Sequence, residues 1–191
     1  RTWENRIDAL NNTISNTFDG ARNLLSQTDT KGSITRYAYD TRGNIISSTD
    51  VADCTTQYRY EDPANPDLPT LITDPRNLST YVEYDNKGNL TRRVDALGAP
   101  AEQSTVWEYY TITDGNPAAV GKVKKETRDP GNLNLFTTYY YTNGYLTKKI
   151  VDEGNLNSDS ESEYNNLGQM VKSYDPRYPD KSVYTEYGYD S

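Results

Sequence analysis

Carboxylates and phenols are the side chains of this sequence that could do chemistry, because histidine is absent. The chain has 191 residues, among them 28 Asp and Glu, 18 Tyr and a single cysteine, Cys54. Without histidine, a Ser-His-Asp triad, a Cys-His pair or a histidine-zinc site cannot be built from this chain. The remaining options are acid and base catalysis by paired carboxylates, calcium binding in turns, and stacking of a ligand on tyrosine rings.

The aspartates recur at a nearly regular spacing, most often 21 residues. This series comprises Asp8, Asp29, Asp50, Asp74, Asp95, Asp129, Asp152 and Asp175. Such regularity indicates a repeat architecture. The third residue after each aspartate is Gly, Asn or Asp in every repeat but the last, where it is Tyr178. Because these residue types tolerate a left-handed backbone, each aspartate is interpreted as the cap of a turn. No Asp-x-Asp-x-Asp-Gly calcium loop occurs, so neither a metal nor a cofactor is expected.

A second series places an aromatic residue at the end of a strand, half a repeat away. Its members are Phe18, Tyr39, Tyr60, Tyr84, Tyr141, Tyr164 and Tyr189, with Tyr109 or Tyr110 in the remaining place. Several are followed by an acidic or amide residue and then a glycine, as in the turns ending at Gly43, Gly88 and Gly168. Each repeat therefore predicts two strands and two short hairpin loops.

The residues between the turns alternate with period two, which is typical of β-strands. Thr35, Tyr37 and Tyr39 fall on one face of a predicted strand, and Ile34 and Arg36 fall on the other. Eight repeats predict an all-β fold: an extended antiparallel meander of about sixteen strands. An open sheet of that width must curve or spiral, because strand twist accumulates. We predict one repeat region over residues 1–191, interrupted by insertions at 62–69 and 98–121.

Tyrosine must supply much of the core, because aliphatic residues are few. Scarcity of Leu, Ile, Val and Phe is typical of disordered chains, but burial of the 18 tyrosines would compensate for it. The tyrosine rows have two interpretations, cross-strand packing along the sheet or a surface for a sugar or protein ligand. The residues predicted for such binding are Trp107, Tyr37, Tyr39, Tyr139 and Tyr141. No pair of carboxylates stands out as catalytic, so no enzymatic activity is expected.

Charge and hydropathy exclude several classes of partner. The net charge of −8 argues against binding to a phosphate backbone. No apolar run is long enough to span a membrane, and the N-terminal residues have no signal-peptide pattern. Cys54 alone can form no intrachain disulfide.

Two stretches resemble the YD repeat of the RHS family. Residues 34–50, ITRYAYDTRGNIISSTD, carry the Tyr-Asp pair and its glycine turn, and residues 84–98, YDNKGNLTRRVDALG, carry a second copy. The resemblance extends over roughly residues 7–190. The family includes bacterial polymorphic toxins, shell-forming subunits of insecticidal toxin complexes, and teneurins. Its repeats form a long β-ribbon that spirals into a hollow shell.

This resemblance implies a structural module, one fragment of a shell that encloses and shields a toxin or passenger polypeptide. The implied partner is a passenger toxin or C-terminal domain of the same polypeptide. The implied location is secreted or at the cell surface, after delivery by a bacterial secretion system. The alternative is an adhesion module that binds carbohydrate or protein through its tyrosine-rich face. We also expect the open edge strands to allow self-association of the fragment.

Overall fold

The computed structural model describes residues 5–7, 13–130, 133–152, 160–175, 177–178 and 180–190. In this part of the chain the fold is all-β, with two 3-10 turns at Ile112–Asp114 and Pro117–Ala119 and no α-helix. The strands are β1 (Asn5–Ile7), β2 (Thr13–Phe18), β3 (Leu24–Thr28), β4 (Ile34–Tyr39), β5 (Ile45–Thr49), β6 (Thr55–Arg59), β7 (Leu71–Thr73), β8 (Ser79–Tyr84), β9 (Leu90–Asp95), β10 (Gln103–Tyr109), β11 (Val123–Arg128), β12 (Leu135–Thr142), β13 (Tyr145–Asp152), β14 (Ser160–Tyr164), β15 (Met170–Tyr174) and β16 (Tyr184–Glu186).

The chain divides into two compact units. The first runs up to Asn89 and includes Asp95–Glu102, and the second comprises Leu90–Val94 and the chain from Gln103 onward. In each unit the strands pair antiparallel in sequence order. The predicted fold class, an antiparallel meander of repeated hairpins, is confirmed. The single repeat region over 1–191 stays a prediction.

The first unit is a sheet with two chemically different faces. The register pairs Tyr37 with Ser48 and Ser48 with Thr56, so these side chains share a face with Tyr39 and Tyr58. The other face carries pairs of hydroxyl side chains across neighbouring strands: Thr17 with Ser26, Thr49 with Thr55, and Thr73 with Ser79. Tyr37, Tyr39 and Tyr58 thus lie on one side of the sheet, and the hydroxyl pairs lie on the other, which they share with Leu71 and Tyr81.

Few side chains are fully buried. Among the described residues, Val82, Val94 and Ala119 are the buried hydrophobic ones. The aromatic residues are mostly half-buried, as expected when rings lie along one layer of strands instead of between two layers. The interior that holds each unit together is therefore thin.

The predicted insertions differ in structure. Residues 62–69 form a loop between β6 and β7, as expected from the three prolines at 63, 66 and 69. Residues 98–121 are only partly a loop, because strand β10 occupies 103–109. Trp107 is in the middle of that strand, opposite Glu126.

The turn series is largely confirmed. Gly32, Asp53, Asn77 and Gly98 all have positive φ. Asp8, Asn11, Asn132 and Asn155 lie outside the described residues. The segment 1–10, considered as a possible helix on its sequence, contains strand β1 at Asn5–Ile7.

We predict that Gly43→Val or Gly88→Val lowers the free energy of unfolding by about 1 to 3 kcal/mol, because a β-branched residue is strained at positive φ. The φ angles are +92° at Gly43 and +81° at Gly88. Urea denaturation measures the loss. Gly20→Val is the matched control, since Gly20 lies in a turn of the same kind without a positive φ and has open space around it. Equal losses in all three variants would contradict the turn assignment.

Candidate functional site

The structural unit that recurs along the chain is a hairpin turn capped by its own first residue. In the turn at Asp29, the carboxylate oxygen Oδ1 accepts hydrogen bonds from the backbone amides of Lys31 and Ser33, both at 2.8 Å. The amide of Gly32 donates to the carbonyl of Asp29 at 3.0 Å, and the amide of Asp29 donates to the carbonyl of Ser33 at 2.9 Å. This is a type I turn followed by a left-handed residue, a common three-residue hairpin loop.

The same pattern of bonds recurs at both ends of the hairpins. The capping residues that bond the second and fourth amides after them are Asp19, Asp29, Asp40, Asp50, Asp74, Asp85 and Asn165. Members of both series recognised in the sequence therefore form the same turn, which occurs at both ends of the strands. At Asp19 the left-handed position is taken by Arg22, φ 70°, which the glycine pattern did not predict.

These hydrogen bonds stabilise the ionised carboxylate. The amides of Ser33 and Lys31 lower the pKa of Asp29 below its ordinary value. The amide of Leu78, and after it the side chain of Arg76, lower the pKa of Asp74. At Asp40 partial burial opposes the change, but the bonds within the turn outweigh it and the pKa is again lowered. The aspartates thus act as fixed anionic acceptors for turn amides.

The aromatic series joins neighbouring hairpins. The hydroxyl of Tyr39 donates to the carbonyl of Leu24 at 2.9 Å, and that of Tyr60 donates to the carbonyl of Ile45 at 2.9 Å. Each acceptor is the first residue of a strand, 15 positions earlier in the chain. Burial raises the pKa of both tyrosines, so they remain protonated donors. We call each such bond a tyrosine staple.

Further staples occur along both units. Tyr84 bonds the carbonyl of Pro69, Tyr109 that of Leu90, and Tyr189 that of Met170. The sequence left the fifth place of the series open between Tyr109 and Tyr110, and the structure assigns it to Tyr109. Tyr110 bonds the carbonyl of Tyr139 instead.

A β-bulge lies at the aromatic end of the hairpins. The register shifts between Thr17 and Phe18, between Ala38 and Tyr39, and at the equivalent places beside Tyr109, Tyr141 and Tyr164. At the opposite end of the strands, next to the turns at Asp29 and Asp50, the register of β3 with β4 and of β5 with β6 has no shift. Since a bulge bends its strand and increases the local twist, bending is concentrated at one edge.

The residues predicted to bind a ligand share a face within each unit. Trp107 is aligned with Glu126 and Thr137, so it is on the same face as Tyr139 and Tyr141 two and four residues further along β12. Tyr37 and Tyr39 share a face of the first unit. Tyr39 is occupied by its staple, and the binding role of all five residues stays a prediction.

Lysine side chains accompany the rings of the second unit. Every lysine from residue 103 onward has its ammonium within 6 Å of the centre of an aromatic ring, a cation-π distance. The pairs are Lys122 with Tyr141, Lys124 with Tyr110, Lys125 with Phe136, Lys148 with Tyr140, Lys149 with Tyr139, Lys172 with Tyr184, and Lys181 with Tyr174. Tyr139 and Tyr141 thus each have a lysine ammonium beside the ring.

One buried carboxylate has a clear structural role. Glu161 is 9% exposed and accepts from Lys181 at 2.7 Å and from Lys148 at 3.0 Å. Burial opposes its ionisation, but the two ammonium groups prevail and its pKa is lowered. These contacts fix the segment before β16 to strands β13 and β14.

Among the described residues, no three His, Cys, Asp or Glu side chains cluster as metal ligands. No helix in that part of the chain has the length and apolar character needed to cross a membrane. Cys54 is exposed and belongs to the turn at Asp50.

Comparison with known proteins identifies the repeat. Residues 18–53 match the family model described as RHS Repeat. The matched stretch contains the turns at Asp19, Asp29 and Asp40 and the staple from Tyr39 to Leu24. No curated protein matches the sequence.

Three solved structures are similar to this chain at low identity. TcdB2-TccC3 without its hypervariable C-terminal region is 19% identical with a TM-score of 0.46, over 83% of this chain and 10% of that chain. The Tc holotoxin pore of Photorhabdus luminescens is 15% identical with a TM-score of 0.28, over 84% and 15%. A porin-like protein from Bacteroides uniformis is 12% identical with a TM-score of 0.39, over 84% and 80%. This chain therefore spans about a tenth of the length of TcdB2-TccC3.

We predict that Tyr39→Phe lowers the free energy of unfolding by about 0.5 to 1.5 kcal/mol, because it removes one half-buried hydrogen bond to a carbonyl. Tyr37→Phe is the control on the same strand and face, since the Tyr37 hydroxyl has no hydrogen-bond partner among the described residues. Urea denaturation of both variants measures the difference. Equal effects would show that the staple contributes nothing.

We predict that stability falls in acid. The folded-state pKa is lowered at Asp29, Asp40, Asp74, Asp85 and Asp175. Their contribution is therefore complete above the unfolded value of 3.8 and is lost as the pH falls through the folded values, about 2 for Asp175. The urea midpoint measured from pH 7 to pH 2 tests this. Asp29→Asn should weaken the acid dependence, because Asn165 already caps an equivalent turn without a charge. An unchanged profile would contradict the assigned cause.

Proposed function

We propose that this chain, whose residues 18–53 match the RHS Repeat model, is a structural module of a β-shell that encloses and shields a toxin or passenger polypeptide. The module acts by exclusion: its sheet keeps the passenger away from proteases and from the cell that makes it. It carries out no catalysis and needs no cofactor. Its proposed partner is a passenger of the same polypeptide.

The observation that carries this proposal is the set of hydrogen bonds and bulges at the turns of the hairpins. A wall must stay closed along its length without a thick interior, and the chain has three devices that serve this purpose. In the hairpin of β4 and β5, for example, a capped turn closes the hairpin, a staple ties it to β3, and a bulge bends it at the end next to Tyr39. An enzyme would instead need a concave site with converging polar groups.

The size of the chain agrees with a role as one section of a larger wall. Sixteen strands at about 4.8 Å spacing and about 22 Å length form a sheet of roughly 1,700 Å². A 100-residue passenger has roughly twice that surface. A complete enclosure therefore needs more repeats than this chain provides. The proposed location of the complete protein is secreted or at the cell surface, after delivery by a bacterial secretion system.

A second candidate function rests on one specific observation. Trp107, Tyr139 and Tyr141 share a face of the second unit and are half-buried, not fully buried. Aligned rings of this kind can stack on a sugar or pack on a protein. This alternative is an adhesion module that recognises glycans or a partner protein.

Limited proteolysis of a fused passenger tests the first function. We expect the chain to slow digestion of an unfolded 100-residue polypeptide fused after Ser191, and only in part, because the wall is incomplete. Gly43→Val should weaken that protection, while Gly20→Val should leave it unchanged. Digestion as fast as that of the passenger fused to an unrelated folded domain would contradict shielding.

A glycan array tests the alternative. Binding that is lost in Trp107→Ala and retained in Val106→Ala, on the opposite face of the same strand, would favour an adhesion module. An array without binding to the parent chain removes the sugar-binding form of that alternative.

A further inference from the structure

The loop at 62–69 interrupts the regular order of the turns at one edge of the first unit. This edge carries the turns at Asp19–Asn23 and Asp40–Asn44, and further along the turn at Asp85–Asn89. Between the last two, β6 and β7 are joined by the longer loop, which has neither the glycine nor the length of the standard turn. A longer loop at this position could have broken the contacts between successive turns.

The loop nevertheless begins like the other turns. Asp62 Oδ1 accepts from the amide of Ala64 at 2.9 Å, and the amide of Asn65 donates to the carbonyl of Asp62 at 3.2 Å. Asn65 Nδ2 donates to Asp62 Oδ2 at 2.8 Å. In the standard turns, Asn44 and Asn89 make the same side-chain bond to Asp40 and Asp85. Asp62 and Asn65 thus reproduce the Asp and Asn of a standard turn at shorter spacing.

The loop is joined to the turn before it. Asn44 Nδ2 lies 3.1 Å from the carbonyl oxygen of Pro66 and 3.3 Å from Asp67 Oδ1. The same nitrogen also bonds Asp40 within its own turn. One amide group therefore ties its own turn to the loop.

The loop is joined in the same manner to the turn after it. Asn65 Nδ2 donates to the carbonyl oxygen of Asp85 at 2.9 Å, in addition to its bond with Asp62. Asn44 and Asn65 are 21 residues apart, the commonest repeat interval, and each links its own aspartate to the next element of the edge. Leu68 also packs against this turn, because a Cβ at Gly88 would meet its Cδ1 at 3.4 Å.

The tyrosine staple that follows the loop has the same sequence separation as the staples that follow standard turns. Tyr84 donates its hydroxyl to the carbonyl of Pro69 at 3.1 Å, 15 residues earlier. The same separation holds for Tyr39 with Leu24 and for Tyr60 with Ile45. Leu24 and Ile45 directly follow a standard turn, so Pro69 occupies the equivalent place after the loop.

We propose that residues 62–69 act as a surrogate turn, with Asn65 as its positioning residue. The loop contacts the turn at Asp40–Asn44 on one side and the turn at Asp85–Asn89 on the other, so that the row of turns is continuous. The loop takes the structural place of a standard turn and is not a ligand-binding insertion. This inference concerns the edge of the sheet and holds whether or not the chain shields a passenger.

The first test replaces the donor. In Asn65→Asp the two amide hydrogens are lost and a carboxylate faces Asp62 and the Asp85 carbonyl. We expect the melting temperature at pH 7 to fall by roughly 3 to 6 °C, the loss of one or two hydrogen bonds in a chain of this size. Amide hydrogen exchange at Lys87 and Asn89 should become roughly tenfold faster, because their turn loses its neighbour.

The matched control is Asn86→Asp, which makes the same change of charge at an exposed position of the same turn. It should leave the melting temperature and the exchange rates close to those of the parent chain. If Asn65→Asp has no larger effect than Asn86→Asp, Asn65 is not a positioning residue and the proposal fails.

The second test replaces the whole loop. Residues 61–68 are exchanged for Asp-Thr-Arg-Gly-Asn, the sequence of the turn at 40–44, so that Tyr60 and Pro69 flank a standard turn. We expect a folded protein in which Tyr84→Phe lowers the melting temperature as much as it does in the parent chain. A chimera that does not fold, or in which Tyr84→Phe has no effect, would overturn the equivalence of loop and turn.

Discussion

The structure depends on hydrogen bonds made at the edges of a thin sheet. A single layer of strands can bury only one side of each ring, and three hydrophobic side chains are fully buried in the part of the chain described here. Packing alone therefore contributes less than in a two-layered fold. The carboxylate caps hold the turn within each hairpin that has one. The tyrosine staples hold one hairpin against the hairpin before it.

The two edges are built from the same turn but have different neighbours. At one end of the strands the turn follows an aromatic residue, and at Tyr39 both a bulge and a staple accompany it. At the other edge the turn follows a regular ladder, as at Asp29 and Asp50. This asymmetry concentrates bending at one end of the strands. The units also differ: tyrosine hydroxyl staples dominate the first, and lysine-covered rings are added in the second.

Much of this organisation could be predicted from residue types. The positions of Gly32, Asp53 and Asn77 indicated left-handed turns because few residues tolerate that conformation. The left-handed φ of Arg22 could not be predicted, because arginine has no preference for that conformation. It is imposed by the hydrogen bonds that Asp19 accepts from the amides on either side of Arg22. Trp107 was assigned to an insertion because the interval between aspartates lengthens there, whereas pairing with β11 makes that segment a strand.

The sequence by itself determined the repeat, the turns, the all-β class and the reversal of the chain at each hairpin. These features follow from the local preferences of Asp, Gly and Asn in turns and of alternating Tyr and Thr in strands. Only the tertiary structure decided which carbonyl each tyrosine binds, which of Tyr109 and Tyr110 belongs to the series, and that Asn65 links a loop to Asp85. Those contacts join residues 15 to 20 positions apart that belong to different strands, loops or turns. Their partners are set by register and by bulges, which no local preference specifies.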